Sequence, residues 1–255
     1  MILVFDIGNS NITIGAYDKD ELAFTARLIT DSELDAESYA DKIQGILFAR
    51  QKTAEDIVGA AVCSVVPAVT RTISMAVEKL SGSKPLIVDS STDYGLKICM
   101  DNPRKVGTDL LVGASCAAFK YEAPLCVIDL GTFTTLCYVS RNLEYQGTII
   151  IPGIRTTGDS YSRGAQLFKF EIKSPGQLLG TNTEGSMLSG LMHGTAAMLD
   201  GLLDRIEQEK GELKSIVITG GFSEMIEPLL QHKVIIDEEL LLSGLLRLYY
   251  SNIFG

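Results

Sequence analysis

Two short segments of the chain place a carboxylate, a glycine and several polar side chains in the same order. Residues 2–14 read ILVFDIGNSNITI, and residues 125–137 read LCVIDLGTFTTLC. Each segment is an apolar strand, an Asp-x-Gly sequence, a few polar residues and a second apolar strand. A single motif of this kind is usually just a hairpin turn. Two copies indicate a repeated functional unit.

The chemistry that these segments suit is the binding of nucleotide phosphates. Glycine lets the backbone come close to a ligand, and neutral hydroxyl or amide groups can donate to phosphate oxygens. Aspartate can hold Mg²⁺, directly or through water, and the ion offsets the triphosphate charge. The candidate residues are Asp6, Gly8, Asn9 and Ser10 in the first copy, and Asp129, Gly131, Thr132 and Thr134 in the second.

A glycine pair offers a second contact for a nucleotide. Gly220 and Gly221 follow the apolar strand Ile216–Thr219. A strand end without side chains can let a nucleobase and its ribose lie against the backbone. An ordinary strand-to-helix turn explains the pair equally well. The chain contains neither a G-x-x-x-x-G-K-[ST] phosphate loop nor a G-x-G-x-x-G dinucleotide motif.

Asp109 is the candidate general base. Pro103 and Gly107 mark a loop, and an apolar helix begins at Thr108 or Asp109. A carboxylate at a helix start is ordinarily a cap. Alternatively, Asp109 accepts the proton of a substrate hydroxyl, as phosphoryl transfer requires. The local sequence leaves both interpretations open.

The elements that must position these residues alternate between strands and helices. Apolar strands ending in small residues are expected within residues 57–67 and 215–223, each in one half of the chain. This alternation is typical of an α/β fold, and its repetition predicts duplicated domains with a nucleotide cleft between them. The predicted halves are residues 1–115 and 116–255. Amphipathic helices are expected at Ala36–Arg50, Val69–Leu80, Thr108–Lys120 and Ser186–Lys210.

Composition excludes several classes of partner. The 255 residues carry a net charge of −10, which disfavours non-specific binding to nucleic acid or to an anionic membrane. No apolar run is long enough to span a bilayer, and no basic leader precedes the first strand. Five cysteines without a C-x-x-C pair are expected to be buried, reduced thiols of a soluble cytoplasmic protein. With only two histidines, a zinc site is not expected.

The ordered set of motifs resembles the type III pantothenate kinases of the actin-like ATPase superfamily. The resemblance covers nearly the whole chain, and each motif is weak alone while the ordered set is specific. The motifs are DIGNS at 6–10, SVVP at 64–67, DNP at 101–103, VGTD at 106–109, DLGTFTT at 129–135, IPG at 151–153, GTNT at 180–183, SG at 189–190, TGG at 219–221 and SGL at 243–245.

This resemblance implies duplicated RNase H-like domains and a specific reaction. ATP would phosphorylate the primary hydroxyl of pantothenate to give 4′-phosphopantothenate, the first step towards coenzyme A. The family also implies a homodimer whose acceptor site is completed at the dimer interface. By resemblance, Asp6, Asn9 and Ser10 would hold phosphate and Mg²⁺, Asp129 a monovalent cation (K⁺ or NH₄⁺), Asp109 would be the base, and Gly107, Thr183 and the position of Met100 would serve the acceptor.

The departures from the family pattern lie on the acceptor side. Leu110 stands where the family usually has Arg, and Met100 where it usually has Tyr. Gly147-Thr148 replaces a Gly-Gly pair, and residues 164–168 read GAQLF in place of Thr-Ala-x-Leu-Pro. Two alternatives therefore accompany the pantothenate kinase interpretation. One is a kinase for another small hydroxyl compound, and the other is a catalytically weak nucleotide-binding paralogue with a regulatory or accessory role.

Overall fold

A computed structural model describes residues 1–164 and 170–254 of the chain. The described residues form two compact units. The first contains residues 1–96, 101–116 and the C-terminal segment from Leu240. The second contains residues 97–100 and the described part of 117–239. No helix among these residues is long and apolar enough to cross a membrane.

The first unit is built on a five-stranded sheet in the order β3-β2-β1-β4-β5. The first three strands form an antiparallel meander, and β4 and β5 continue the sheet in parallel. Helices α1 and α2 bury their apolar faces against it, because both supply side chains to one core with β1. The elements are β1 Ile2–Ile7, β2 Asn11–Asp18, β3 Glu21–Ile29, α1 Ala36–Ala49, β4 Gly59–Ser64, α2 Pro67–Ser81 and β5 Leu86–Ile87.

Capping residues delimit the first two helices. The Asp35 side chain accepts a hydrogen bond from the backbone N–H of Ser38 and so caps the start of α1. Pro67 occupies the first turn of α2, where its missing N–H costs nothing. Gly82 ends α2 with a left-handed φ of 71°. Both helices lie within two residues of the bounds predicted from the sequence.

The second unit contains a six-stranded sheet in the order β11-β10-β7-β8-β9-β6. Its core lies between this sheet and helices α4 and α5, because side chains from all three form one buried cluster. The elements are β6 Lys97–Ile98, β7 Leu125–Leu130, β8 Phe133–Val139, β9 Glu144–Pro152, α4 Ile154–Gly164, α5 Thr183–Lys210, β10 Ser215–Thr219, α6 Ser223–Ile226 and β11 Ile235–Ile236.

The two sheets repeat one topology. Strands β7, β8 and β9 form the same antiparallel meander as β1, β2 and β3, and β10 and β11 run parallel as β4 and β5 do. Strands β1 and β7 even share one burial pattern. In the register, Asp6 pairs with Thr13 and Asp129 pairs with Thr135, although the sequence separations differ by one residue. The extra residue lies in the first turn, and the predicted duplicated α/β fold is confirmed.

Helix α3, Thr108–Lys120, has the predicted bounds and passes from the first unit into the second after Cys116. Helix α7, Leu240–Ile253, differs from the predicted halves because it belongs to the first unit. It packs on β1, β4 and β2. Gly244 allows a close approach to α3, since an added Cβ would lie 2.9 Å from Cγ1 of Val112. Apolar periodicity alone could not indicate which sheet this helix covers.

Candidate active site

The turn between β1 and β2 presents the first set of predicted phosphate ligands. Asp6 is half-buried near the end of β1, and Asn9 and Ser10 are exposed. The Gly8 N–H donates to the Asn11 carbonyl at 2.9 Å and closes the turn. Thr30, just after β3, supports this turn with two hydrogen bonds. Its hydroxyl donates to the Gly8 carbonyl at 2.7 Å, and its N–H donates to the Ser10 carbonyl at 3.1 Å. The turn is therefore held by its backbone, and the side chains of Asn9 and Ser10 face solvent.

Strand β4 brings a buried thiol next to this turn. Cys63 is the register partner of Asp6, so their side chains leave the same face of the sheet. The Cys63 thiol donates at 3.3 Å to Oγ1 of Thr108, which is the first residue of α3. Burial raises the pKa of Cys63, and the negative charges of Asp6 and Asp109 raise it further. The structure thus brings the predicted metal ligand and the predicted base, 103 positions apart in sequence, close to one side chain.

Asp109 is not the cap of α3. The Leu111 N–H donates to the Gly107 carbonyl at 3.2 Å, which puts Gly107 at the capping position. Asp109 lies in the first turn, half-buried, and its Oδ1 accepts from the Leu110 N–H at 2.9 Å. Burial raises the pKa of this carboxyl, against the opposing effect of that hydrogen bond. A carboxylate with a raised pKa is a better proton acceptor near neutral pH.

The turn between β7 and β8 repeats the first arrangement. Gly131 and Thr132 are exposed, and the Gly131 N–H donates to the Phe133 carbonyl at 3.1 Å. The Thr132 carbonyl accepts from the Gly153 N–H at 3.1 Å and from the Thr156 hydroxyl at 3.2 Å. A Cβ at Gly153 would lie 2.4 Å from the carbonyl oxygens of both turn residues, so glycine is required there. The start of α4 therefore braces this turn as Thr30 braces the other.

Thr134 does not occupy the place expected of a phosphate donor. Its side chain is only 1% exposed, and its hydroxyl has no hydrogen-bond partner among the described residues. It pairs with Leu130, as Ile12 pairs with Ile7 in the first unit. The alternation of β8 thus turns Thr134 into the core, whereas Thr132 precedes the strand and stays exposed. The expectation for Thr134 was wrong because β8 already begins at Phe133. Thr134 is therefore the second residue of the strand, and its side chain faces the core.

The glycine pair divides into two different positions. Gly220 has a φ of +94°, and an added Cβ would lie 2.7 Å from the backbone of Leu130. Its carbonyl accepts from the N–H of Ser223 at 3.1 Å, so the turn itself requires this glycine. Gly221 is exposed and has open space around its Cα. Because Thr219 pairs with Asp129, both glycines follow the end of β10 that lies beside the end of β7 and its Asp-x-Gly turn.

The predicted acceptor residues fall in both units. In the first unit, an added Cβ at Gly107 would lie 2.5 Å from Asp109 Oδ1, so a larger residue at this position would collide with that carboxylate. Leu110 beside it is half-buried. In the second unit, Met100 is half-buried, and Thr183 is exposed at the start of α5. Of the altered GAQLF segment, residues 165–168 lie outside the described part of the chain.

Comparison with known proteins shows the family. A sequence model of type III pantothenate kinases matches residues 2–205. The chain belongs to the type III pantothenate kinase family. A type III pantothenate kinase from Exiguobacterium sibiricum is 35% identical over 253 residues, covering 99% of this chain and all of the relative. The chain is therefore a kinase that uses ATP to phosphorylate pantothenate in coenzyme A biosynthesis.

Solved structures show the fold of this kinase. A Campylobacter jejuni protein described as a Baf family transcriptional activator superposes with a TM-score of 0.60 at 19% identity, covering 98% of both chains. Component A of (R)-2-hydroxyglutaryl-CoA dehydratase from Acidaminococcus fermentans superposes with a TM-score of 0.57 at 13% identity, covering 98% of this chain and 96% of the component A chain. These likenesses, to proteins of low identity, identify an actin-like ATPase fold.

The donor set of the kinase fits a cation that is shared with its substrate. Among the described residues, no group of three or more His, Cys, Asp or Glu side chains could hold a metal ion by itself. Mg²⁺ typically uses one or two carboxylates, water and the phosphates of the nucleotide. Asp6 and Asp129 are each half-buried beside an exposed turn, so each turn offers one carboxylate to a cation.

Proposed function

We propose that this kinase transfers the γ-phosphoryl group of ATP to the primary hydroxyl of pantothenate with Asp109 as the general base. The observation that carries the proposal is the place of Asp109. Its half-buried carboxylate lies at the start of α3, near the thiol of Cys63, which is the strand neighbour of Asp6. Asp109 takes the hydroxyl proton, the oxygen attacks the γ-phosphorus, and the bond from that phosphorus to the leaving ADP oxygen breaks.

The two turns have separate roles in this proposal. Asp6 holds Mg²⁺, while Gly8, Asn9 and Ser10 donate to phosphate oxygens. In the second unit, Gly131 and Thr132 contact phosphate, Gly220 and Gly221 border the nucleoside, and Asp129 holds K⁺ or NH₄⁺. The cations supply positive charge that offsets the triphosphate. Support comes from the matched geometry of the turns, which leaves Asn9, Ser10 and Thr132 exposed.

The acceptor would lie against Gly107, Thr183 and Met100, in a homodimer that completes the site. Leu110 gives this pocket an apolar wall where the family resemblance leads one to expect a guanidinium. An Arg–carboxylate pair is bidentate and strong, so Leu110 predicts weaker binding of the pantothenate carboxylate. The kinase would then depend more on contacts along the rest of the acceptor.

The experiment is an ADP-release assay with pantothenate in which K⁺ is varied against Na⁺ at constant ionic strength, and the product is identified by mass spectrometry. We expect equal amounts of ADP and 4′-phosphopantothenate, with turnover stimulated by K⁺ or NH₄⁺. Turnover on another small alcohol but not on pantothenate would favour a different acceptor. Nucleotide binding without turnover on any acceptor would favour a regulatory or accessory paralogue.

A further inference from the structure

A short chain of polar contacts connects the first residue of α3 to the end of β4. The Cys63 thiol donates to Thr108 Oγ1 at 3.3 Å, and the Thr108 hydroxyl donates to the Ser64 carbonyl in a longer contact of 3.5 Å. Cys63 is 1% exposed, so water does not compete for the thiol. The buried thiol of Cys63 is the donor of the first contact, and the Thr108 hydroxyl is the donor of the second.

This chain of contacts lies between the two carboxylates of the first unit. Cys63 is the register partner of Asp6, and Thr108 directly precedes Asp109. The same two atoms, Sγ of Cys63 and Oγ1 of Thr108, therefore connect the strand beside the phosphate turn to the residue beside the base. A shift of the start of α3 relative to β4 would move Asp109 with respect to Asp6.

Other contacts of α3 in the first unit come from its later turns. The Ser115 hydroxyl donates to the Tyr94 carbonyl, and Arg247 Nη1 of α7 donates to Ser115 Oγ at 2.9 Å. Gly244 of α7 lets that helix approach Val112 closely. These contacts lie one to two turns beyond Asp109, and the residue before α3 is a glycine. Thr108 is thus the first residue of α3 and makes polar contacts with the end of β4.

We propose that Cys63 and Thr108 are positioning residues that hold the Asp109 carboxylate at a working distance from the phosphate-binding turn of Asp6. The proposal rests on the proposed role of Asp109 as the base. Its consequence is catalytic, because reaction rates depend steeply on the alignment of reacting atoms, and small misplacements cost up to roughly 10²-fold.

The test compares variants that remove the contact with variants that keep it. Thr108→Val and Cys63→Ala remove it, whereas Thr108→Ser and Cys63→Ser keep a hydroxyl in place. We expect kcat with pantothenate to fall about 10-fold in the first pair, with the KM for ATP changed less than about twofold. The second pair should retain most of the activity. Thr70→Val is the matched control, since Thr70 is also half-buried on a helix of this unit and donates to a backbone carbonyl, that of Val66, at 3.0 Å.

A second measurement separates anchoring from catalysis. Amide hydrogen exchange in the ligand-free protein should become faster at Leu111 and Val112 in Thr108→Val, and should not change there in Thr108→Ser or Thr70→Val. Unchanged kcat per folded protein in both Thr108→Val and Cys63→Ala would overturn the positioning role, even if their stability falls. The assignment of Asp109 as the base fails separately. It fails if Asp109→Asn keeps normal turnover while amide hydrogen exchange in Thr108→Val is still faster at Leu111 and Val112.

Discussion

At the scale of single residues, the placement of Asp109 distinguishes the two interpretations that its sequence leaves open. A capping carboxylate would precede the helix and accept from the second or third N–H group. Asp109 instead follows the Gly107 cap, and its carboxylate accepts from the N–H of the next residue, Leu110. Its charge still lies near the positive end of the helix dipole, which favours the ionised form. Burial outweighs these effects and raises its pKa.

The first prediction concerns turnover. Asp109→Asn keeps the size of the side chain but removes the proton acceptor. We expect kcat to fall by about 10²-fold or more, because general base catalysis typically contributes roughly 10²–10⁴-fold. ATP affinity, measured by calorimetry, should stay near that of the parent. Turnover close to the parent's would instead mean that Asp109 only stabilises the start of α3.

The second prediction concerns stability and pH for the same substitution. Since the folded-state pKa of Asp109 is raised, the folded state holds the proton more tightly than the unfolded chain, and the ionised carboxylate reduces stability above that pKa. Asp109→Asn should therefore raise the urea midpoint at pH 7. The gain should shrink as the pH falls through the folded-state pKa, and it should vanish below about 3, where the carboxyl of the parent is protonated in both states.

Asp35→Asn is the control for that measurement. Asp35 is the cap of α1, and the backbone N–H of Ser38 lowers its pKa, so its ionised form stabilises the fold at pH 7. Asparagine caps about as well as aspartate, so Asp35→Asn should leave the urea midpoint equal or slightly lower. If Asp109→Asn also lowers the midpoint at pH 7, the helix dipole outweighs burial at Asp109.

At the scale of elements, each Asp-x-Gly turn is braced by the segment that follows the third strand of its meander. Thr30 after β3 supports the first turn, and Gly153 and Thr156 at the start of α4 support the second. These braces use backbone carbonyls of the turn and leave its exposed side chains available. The rigid elements therefore set the backbone of the site, and the side chains that face solvent remain available to a ligand.

The third prediction uses the glycine pair at the end of β10. Gly220→Ala must adopt a left-handed φ and would press its Cβ against the backbone of Leu130 at 2.7 Å. The left-handed conformation alone costs about 1–2 kcal/mol, so we expect a loss of at least that size in urea unfolding. Gly221→Ala, with open space around it, should change stability by less than about 0.5 kcal/mol. Equal stability of the two variants would contradict the assigned turn.

At the scale of the whole molecule, the chain repeats one sheet topology in two units and departs from exact duplication at its end. Helix α7 returns to the first unit, where Tyr249 packs so closely on β4 that an added Cβ at Gly59 would overlap its ring. The C-terminal helix thus completes the core of the unit that contains Asp6 and Asp109. Loss of this helix would expose the face of β1, β4 and β2 on which it packs.

The fourth prediction concerns assembly. If the acceptor site is completed by a second copy, analytical ultracentrifugation should give twice the chain mass of 27.6 kDa at the concentrations used for assay. Specific activity should then fall on dilution as the dimer dissociates. A monomer whose specific activity does not change with dilution would contradict the proposed shared site.

The sequence by itself determined the repeated strand–turn–strand units, the bounds of α3 and the family. Those features depend on local patterns: period-2 and period-3.6 burial, turn residues and the order of short motifs. The pairing of Asp6 with Thr13 and of Asp129 with Thr135, by contrast, became visible only in the strand register.

Only the tertiary structure decided which residues meet across long separations. It brought Asp109 near Asp6 through Cys63, turned Thr134 into the core, and placed α7 on the first unit. It also separated Gly220, which the turn requires, from Gly221, which a ligand can approach. These outcomes depend on strand register and on which apolar faces bury each other, and neither is encoded in the spacing of neighbouring residues.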